Sequence, residues 1–121
     1  MGRVPPDRLP AGHLLGREGE QLAARFLEGR GYRVLGSGFR ARRGEIDLVC
    51  RRDDRLVLVE VKTRSSDRFG TPAEAVGPRK RKALQAAAAE YRTMAGWRGP
   101  IDWVVVAVRP GQEPELIENP W

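Results

Sequence analysis

Apolar positions along this chain first recur at helical spacing, then alternate as in strands, then return to helical spacing before one almost uniformly apolar run. From Leu14 to Glu28 the spacing is helical: Leu15, Leu22, Ala23, Phe26 and Leu27 share a face, and Gly29 and Gly31 supply the stop. Tyr32–Leu35 opens a strand that Gly36 and Gly38 weaken or bulge before Phe39. Glu45–Arg51 and Leu56–Lys62 alternate in strand fashion, with Asp53-Asp54 as a tight turn between them. After a polar loop at Ser65–Pro72, Pro78 stands in the first turn of a second helix. That helix runs to about Ala95, with Leu84, Ala87, Ala88 and Tyr91 facing inward and Gly96 and Gly99-Pro100 ending it. Ile101–Val108 reads as a strand buried on both faces, and Glu115–Glu118 as an added edge strand. The order α-β-β-β-α-β predicts an α/β fold with a mixed central sheet flanked by helices. Residues 1–12, with three prolines and two glycines, read as a flexible lead-in to a single domain over residues 13–121.

Composition narrows the chemistry. The 121 residues are 40% hydrophobic and 31% charged, an ordinary globular balance. Lys and Arg number 22 against 16 Asp and Glu, a formal charge of +6, which favours a polyanion such as nucleic acid as partner. Cys50 is the only cysteine and His13 the only histidine. A lone cysteine excludes an internal disulfide and a Cys-based zinc site, and a lone histidine beside a loose N-terminus speaks against Ser-His-Asp or Cys-His catalysis. No apolar run approaches a membrane span and no signal-peptide core stands at the N-terminus, so the expected setting is cytoplasmic. Any catalysis must come from carboxylates, Lys and Arg with a borrowed metal.

The two middle strands concentrate such residues. Strand side chains alternate faces, so Leu56, Leu58, Glu60 and Lys62 share one side while Val57, Val59 and Val61 share the other. Glu45 and Asp47 point away from Ile46 and Leu48. Closing the hairpin at Asp53-Asp54 with Arg52 opposite Arg55 sets Asp47 opposite Glu60, and Glu45 opposite Lys62. Directly opposed Cβ atoms lie about 4.5–5.5 Å apart, where two like charges destabilise a strand pair unless a proton or cation intervenes. A divalent metal with hard oxygen ligands suits that place. The alternative is an ordinary cross-strand ion pair, Glu45 with Lys62, beside a solvated Asp47–Glu60 pair at the sheet end.

The motifs themselves extend this. An acid in the second strand and Glu60-Val-Lys62 closing the third resemble the PD-(D/E)XK, or restriction-endonuclease-like, nuclease superfamily. Gly16-Arg-Glu-Gly-Glu20, Gly31-Tyr-Arg-Val34, Gly44-Glu-Ile-Asp-Leu-Val49, Val59-Glu-Val-Lys-Thr-Arg64 and Ala75-Val-Gly-Pro-Arg-Lys80 resemble the YraN family of uncharacterised proteins, in order over roughly residues 14–108. That family is similar in layout to archaeal Holliday-junction resolvases. Ile46-Asp47 replaces the superfamily's Pro-Asp, which leaves the ligating carboxylate in place. The resemblance implies that Asp47, Glu60 and the Val61 carbonyl ligate Mg²⁺ or Mn²⁺, and that Lys62 orients the attacking water and offsets charge on the phosphate. It also matches Glu20 to a first-helix glutamate that completes the site in resolvase-like members. Helical angle alone does not choose between Glu20 and Glu18, and a first-turn acid is also favoured by the helix dipole.

Lys80 lies one turn before Leu84, where a cation opposes the helix dipole, so contact with phosphate is one reading and a solvated member of the Arg79–Lys82 run is the other. Arg40, Arg42, Arg43 and Arg64 adjoin the site in sequence and are candidates for tracking a nucleic-acid backbone. Trp97, Trp103 and Trp121 are assigned to packing. Gly31–Gly36 has phosphate-loop glycine spacing but lacks the Lys-Ser/Thr that follows it. The expected function is thus a metal-dependent endonuclease acting on DNA, with branched DNA a candidate substrate. The alternatives are a non-cleaving nuclease-like binding module, or a scaffold protein in DNA processing. Resolvase-like members act as dimers, so a homodimer is a further expectation.

Overall fold

The protein was analysed as a computed structural model that describes residues 18–64 and 76–121. Expectations for residues 1–12, for Leu14 and Leu15, and for the loop at Ser65–Pro72 lie outside the described residues. The elements are α1 (Glu18–Gly29), β1 (Arg33–Arg40), β2 (Glu45–Arg52), β3 (Arg55–Thr63), α2 (Pro78–Ala95), β4 (Ile101–Val108) and β5 (Glu115–Glu118). The five strands form one sheet in sequence order. β1, β2 and β3 are antiparallel neighbours, β3 and β4 are parallel, and β5 returns antiparallel along the edge. The predicted α/β architecture with a mixed sheet is what the chain adopts.

The parallel pair needs a crossover, and α2 supplies it. Pro78 begins α2 after the extended N-cap Gly77, and Gly96 ends it in the left-handed conformation (φ 66°). Each helix covers one face. Ala23, Ala24 and Leu27 of α1 pack on Leu48, Cys50, Val57, Val59, Val104 and Val106. Ala87, Ala88 and Tyr91 of α2 pack on Phe39, Ile46, Val49, Leu56 and Leu58. This double coverage is why β3 reads as a nearly unbroken apolar run. Burial on both faces holds for Val104–Val108 of β4, whereas Ile101, Asp102 and Trp103 are half-buried, with Ile101 and Trp103 packed at the margin of the α2 core. The apolar run was therefore longer than the fully covered stretch.

The β2–β3 hairpin has the predicted register, with Arg52 opposite Arg55 and Leu48 opposite Val59. Its two-residue turn is made possible by Asp53 at φ 55°, a conformation Asp tolerates better than most residues. β1 continues past Leu35 through the irregularity expected at Gly36 and Gly38. It runs on to Arg40 by absorbing a register shift between Val34 and Gly36 and a positive φ (65°) at Gly38.

That second irregularity positions the site. Ser37 pairs with Leu48 and Phe39 with Ile46, leaving Gly38 across from Asp47. Leu48 belongs to the α1 core, yet Ile46 belongs to the α2 core. The simple alternation that put Ile46 and Leu48 on one side of β2 is thus broken at Asp47. A left-handed Gly38 lets both strands rotate there, which an L side chain at that φ would resist.

Candidate functional site

The ladder between β2 and β3 runs from Arg52–Arg55 up to Leu48–Val59 and stops there, although both strands continue. Asp47 occupies the opening. Its Oδ2 accepts a hydrogen bond from the Val61 N–H at 2.8 Å, so a side chain replaces the backbone partner that a regular ladder would have supplied. A strand residue projects its N–H and C=O to the same edge, so the Val61 carbonyl also faces this opening.

Glu60 is buried at 3% exposure and carries its charge inward. Its Oε2 receives two ammonium groups, Lys62 Nζ at 3.3 Å and Lys80 Nζ at 3.5 Å. Its Oε1 is buried with no hydrogen-bond partner. Asp47 is the neighbouring acid, and the pair feel each other strongly. The Asp47 carboxyl is pushed up to about 7 by burial first and by the Glu60 charge second. The Val61 N–H pulls in the other direction, and the Glu20 charge adds to the rise.

That last effect separates the two first-turn acids of α1. Glu20 is buried at 5% and close enough for its charge to act on Asp47, whereas Glu18 is exposed. The close seating of α1 makes this possible. A Cβ on Gly19 would lie 2.6 Å from Thr63 Oγ1, so only glycine lets the first turn approach the end of β3 so closely.

The expected pairing of Glu45 with Lys62 does not occur. Glu45 meets Arg40 at 3.4 Å, and Lys62 turns to Glu60 on its own strand. The strands part beyond Leu48–Val59, so hairpin arithmetic no longer governs side chains that far along.

Of the arginines singled out, Arg40 is exposed and shared with Glu45. Arg42 donates its backbone N–H to Glu90 Oε2 at 2.9 Å, leaving its side chain exposed. Arg43 lines a surface pocket with Arg79, Lys82 and Ala83. Arg64 is half-buried, and its N–H donates to the Val108 carbonyl at 2.9 Å. The tryptophans pack: the Trp97 indole N–H donates to the Pro100 carbonyl at 3.0 Å, and Trp103 and Trp121 rings lie 6.1 Å apart. Cys50 is no nucleophile, because burial and the Glu28 charge push its thiol up to about 12. Lys80 was one of two even readings in sequence. Its contact with Glu60 depends on how the crossover helix docks, which periodicity does not report.

Whether the residues suit a divalent cation can be tested on the donors themselves. All are oxygens, two are carboxylates held together against their mutual repulsion, and one carboxylate oxygen is buried without a partner. That set fits Mg²⁺ or Mn²⁺, which take one or two carboxylates and complete their shells with water. Among the described residues no three His, Cys, Asp or Glu side chains gather into a ready cage, and Glu20 reaches the pair through its charge on Asp47.

The model of a family described as "Uncharacterised protein family UPF0102" matches residues 19–108. The chain belongs to this family. UPF0102 is the group that the motifs resemble under the name YraN. A UPF0102 protein of Anaeromyxobacter dehalogenans is 46% identical over 106 residues, covering 87% of this chain and 79% of its own. One from Syntrophus aciditrophicus is 41% identical over 108 residues, covering 86% and 85%. One from Syntrophomonas wolfei reaches 56% over 77 residues, covering 64% and 67%. The UPF0102 match begins at Gly19 and ends at Val108, so it spans Glu20, Asp47, Glu60, Lys62 and Lys80. No helix among the described residues is long and apolar enough to cross a membrane.

Proposed function

We propose that this UPF0102 protein is a metal-dependent endonuclease that hydrolyses phosphodiester bonds of nucleic acid, with branched DNA as the substrate form favoured by its likeness to resolvases. One observation carries the reading: Glu60 Oε1 is buried without a partner beside Asp47, while Lys62 and Lys80 crowd the other oxygen. A structural ion pair would satisfy both oxygens. This arrangement sets a buried carboxylate beside Asp47, close enough for the two acids to share a proton or a cation.

Asp47, Glu60 and the Val61 carbonyl would hold Mg²⁺ or Mn²⁺, which supplies Lewis-acid polarisation of the phosphate and a more acidic bound water. Glu20 would add negative charge that strengthens the hold on a cation. Lys62, half-buried and anchored on Glu60, can hydrogen-bond the incoming water or a phosphate oxygen and offset the charge that accumulates on the phosphate. Lys80, more exposed, is placed to meet the substrate at the mouth of the site.

A non-cleaving nucleic-acid-binding module is the second reading, favoured by the formal charge of +6, which supports binding of a polyanion without requiring cleavage. Cleavage of single-stranded, duplex and branched DNA with Mg²⁺ or Mn²⁺ separates the two when run beside Asp47→Ala and Lys62→Ala. The nuclease reading expects metal-dependent products that fall on the order of 100-fold or more in both variants. Products indifferent to both substitutions, or none on any substrate, would sink it. Retained, steeply salt-dependent binding without cleavage would leave the module.

A further inference from the structure

We infer that Arg43, Arg79 and Lys82 form a phosphate-binding site that holds a non-scissile backbone phosphate of the nucleic acid. The inference rests on the nucleic-acid reading above and adds a second anchor point to it. The three cations and Ala83 line a surface pocket of about 290 Å³ with no acid among them. The nearby acids are engaged elsewhere: Glu45 with Arg40, Glu90 with the Arg42 N–H, and Glu60 with Lys62 and Lys80.

The pocket is built rather than incidental. Arg43 sits on the β1–β2 loop, which is closed by the Ala41 N–H donating to the Gly44 carbonyl at 2.8 Å. The loop is pressed onto α2 at Gly44, where even a Cβ would come within 3.4 Å of the Ala83 carbonyl. The Arg42–Glu90 bond fastens its other side. Arg43 is thereby held over the first turns of α2, which provide Arg79 and Lys82.

Energetics give the direction. The first turn of α2 has no acidic residue, its N-cap Gly77 offers no side-chain cap, and cations there oppose the helix dipole. Three like charges gathered at such an end cost stability, and a bound monoanionic phosphodiester group offsets each unfavourable interaction. Lys80, between Arg79 and Arg81 in the same turn, reaches Glu60. A strand with its scissile phosphate at Asp47 and Glu60 would therefore lay another phosphate over the pocket beside it.

The test is fluorescence anisotropy of a labelled duplex and a labelled single strand over a series of KCl concentrations. It compares the intact protein, the double variant Arg79→Ala/Lys82→Ala, Arg43→Ala, and Arg25→Ala as a charge control on exposed α1. The expected result is about tenfold weaker binding near ~100 mM KCl for the double variant, with the slope of log K against log salt shallower by about one. Arg43→Ala should move the same way, and Arg25→Ala should stay close to the intact protein. All variants should keep the same Mg²⁺-induced shift in Tm, since the carboxylate pair is untouched. If the double variant binds like the intact protein, or loses no more than Arg25→Ala, the proposal is overturned while the nucleic-acid reading stands. If the intact protein binds no nucleic acid, both fall together.

Discussion

A carboxylate buried beside another carboxylate can lower its free energy by taking a proton or by sharing a cation. Asp47 faces that choice, with its carboxyl pushed up to about 7 by burial and by Glu60. A raised folded-state value means that Asp47 favours folding below the ordinary 3.8 and that this favour is lost as pH climbs to about 7. Metal-free protein should therefore gain stability from Asp47 on acidification from about pH 8 to 5. Asp102 acts in the opposite sense. Its carboxyl is held low by the Arg55 guanidinium, so its small, solvent-screened contribution is lost only under more acid conditions. Asp47→Asn keeps an oxygen for the Val61 N–H and removes the charge. Chemical denaturation at about pH 8 should find the metal-free variant more stable by about 2 kcal/mol, and the advantage should shrink near pH 5. Added Mg²⁺ should stabilise the intact protein and leave the variant unmoved. A metal-free variant no more stable than its parent would show that the pair is not repulsive.

Tyr91 illustrates a different cost. It is fully buried, meets Phe39 edge-on with centroids 4.9 Å apart, and its hydroxyl has no hydrogen-bond partner. The ring fills the α2 core while the oxygen is stranded in it. Tyr91→Phe should keep the ring contact and raise stability by up to about 1 kcal/mol, measured by urea midpoint. A loss of more than that would reveal a partner for the hydroxyl.

Among the elements, the contact between α1 and β3 sets how near Glu20 comes to Asp47. Gly19→Ala forces a Cβ against Thr63 Oγ1, and both Cβ positions are fixed by regular structure. Either α1 or the Thr63 hydroxyl must shift; a shift of α1 predicts a loss of about 1–3 kcal/mol and a weaker Mg²⁺-induced stabilisation. Thr63→Ala opens the space, so a double-mutant cycle should show coupling with Gly19→Ala and restore much of the response to Mg²⁺. Strict additivity would remove this account of Gly19.

The hairpin was legible in sequence because its information is local. Asp53-Asp54 fixes the turn, strict alternation fixes the faces, and together they set Leu48 opposite Val59 as found. The same arithmetic failed for Glu45 and Lys62, and for Ile46 beside Leu48, because Gly38 rotates the strand pair from the neighbouring strand. Two glycines near Phe39 signalled an irregularity without saying which way it turned. Lys80 on Glu60 and the gathering of Arg79 and Lys82 with Arg43 depend on the docking of a crossover helix, which no local pattern encodes.

For the molecule as a whole, the order of the strands divides its contacts by distance along the chain. β1, β2 and β3 are joined by short turns and pair with their sequence neighbours, whereas β3 meets β4 only after α2 intervenes. Contacts that close short loops form more readily than those that wait on a long crossover. The three-stranded meander is therefore the expected folding nucleus, and Asp47 and Glu60 both lie inside it. Lys80 arrives with α2, after the two acids have already been driven together. The repulsion that suits the finished site would then be met at the folding barrier itself, before its second ammonium is in place. Stopped-flow refolding near pH 8 should show Asp47→Asn accelerating the folding arm of the chevron, with little change in unfolding. Mg²⁺ should speed the intact chain in the same way, so that the ion proposed to hold the carboxylate pair would also shorten the route to the fold.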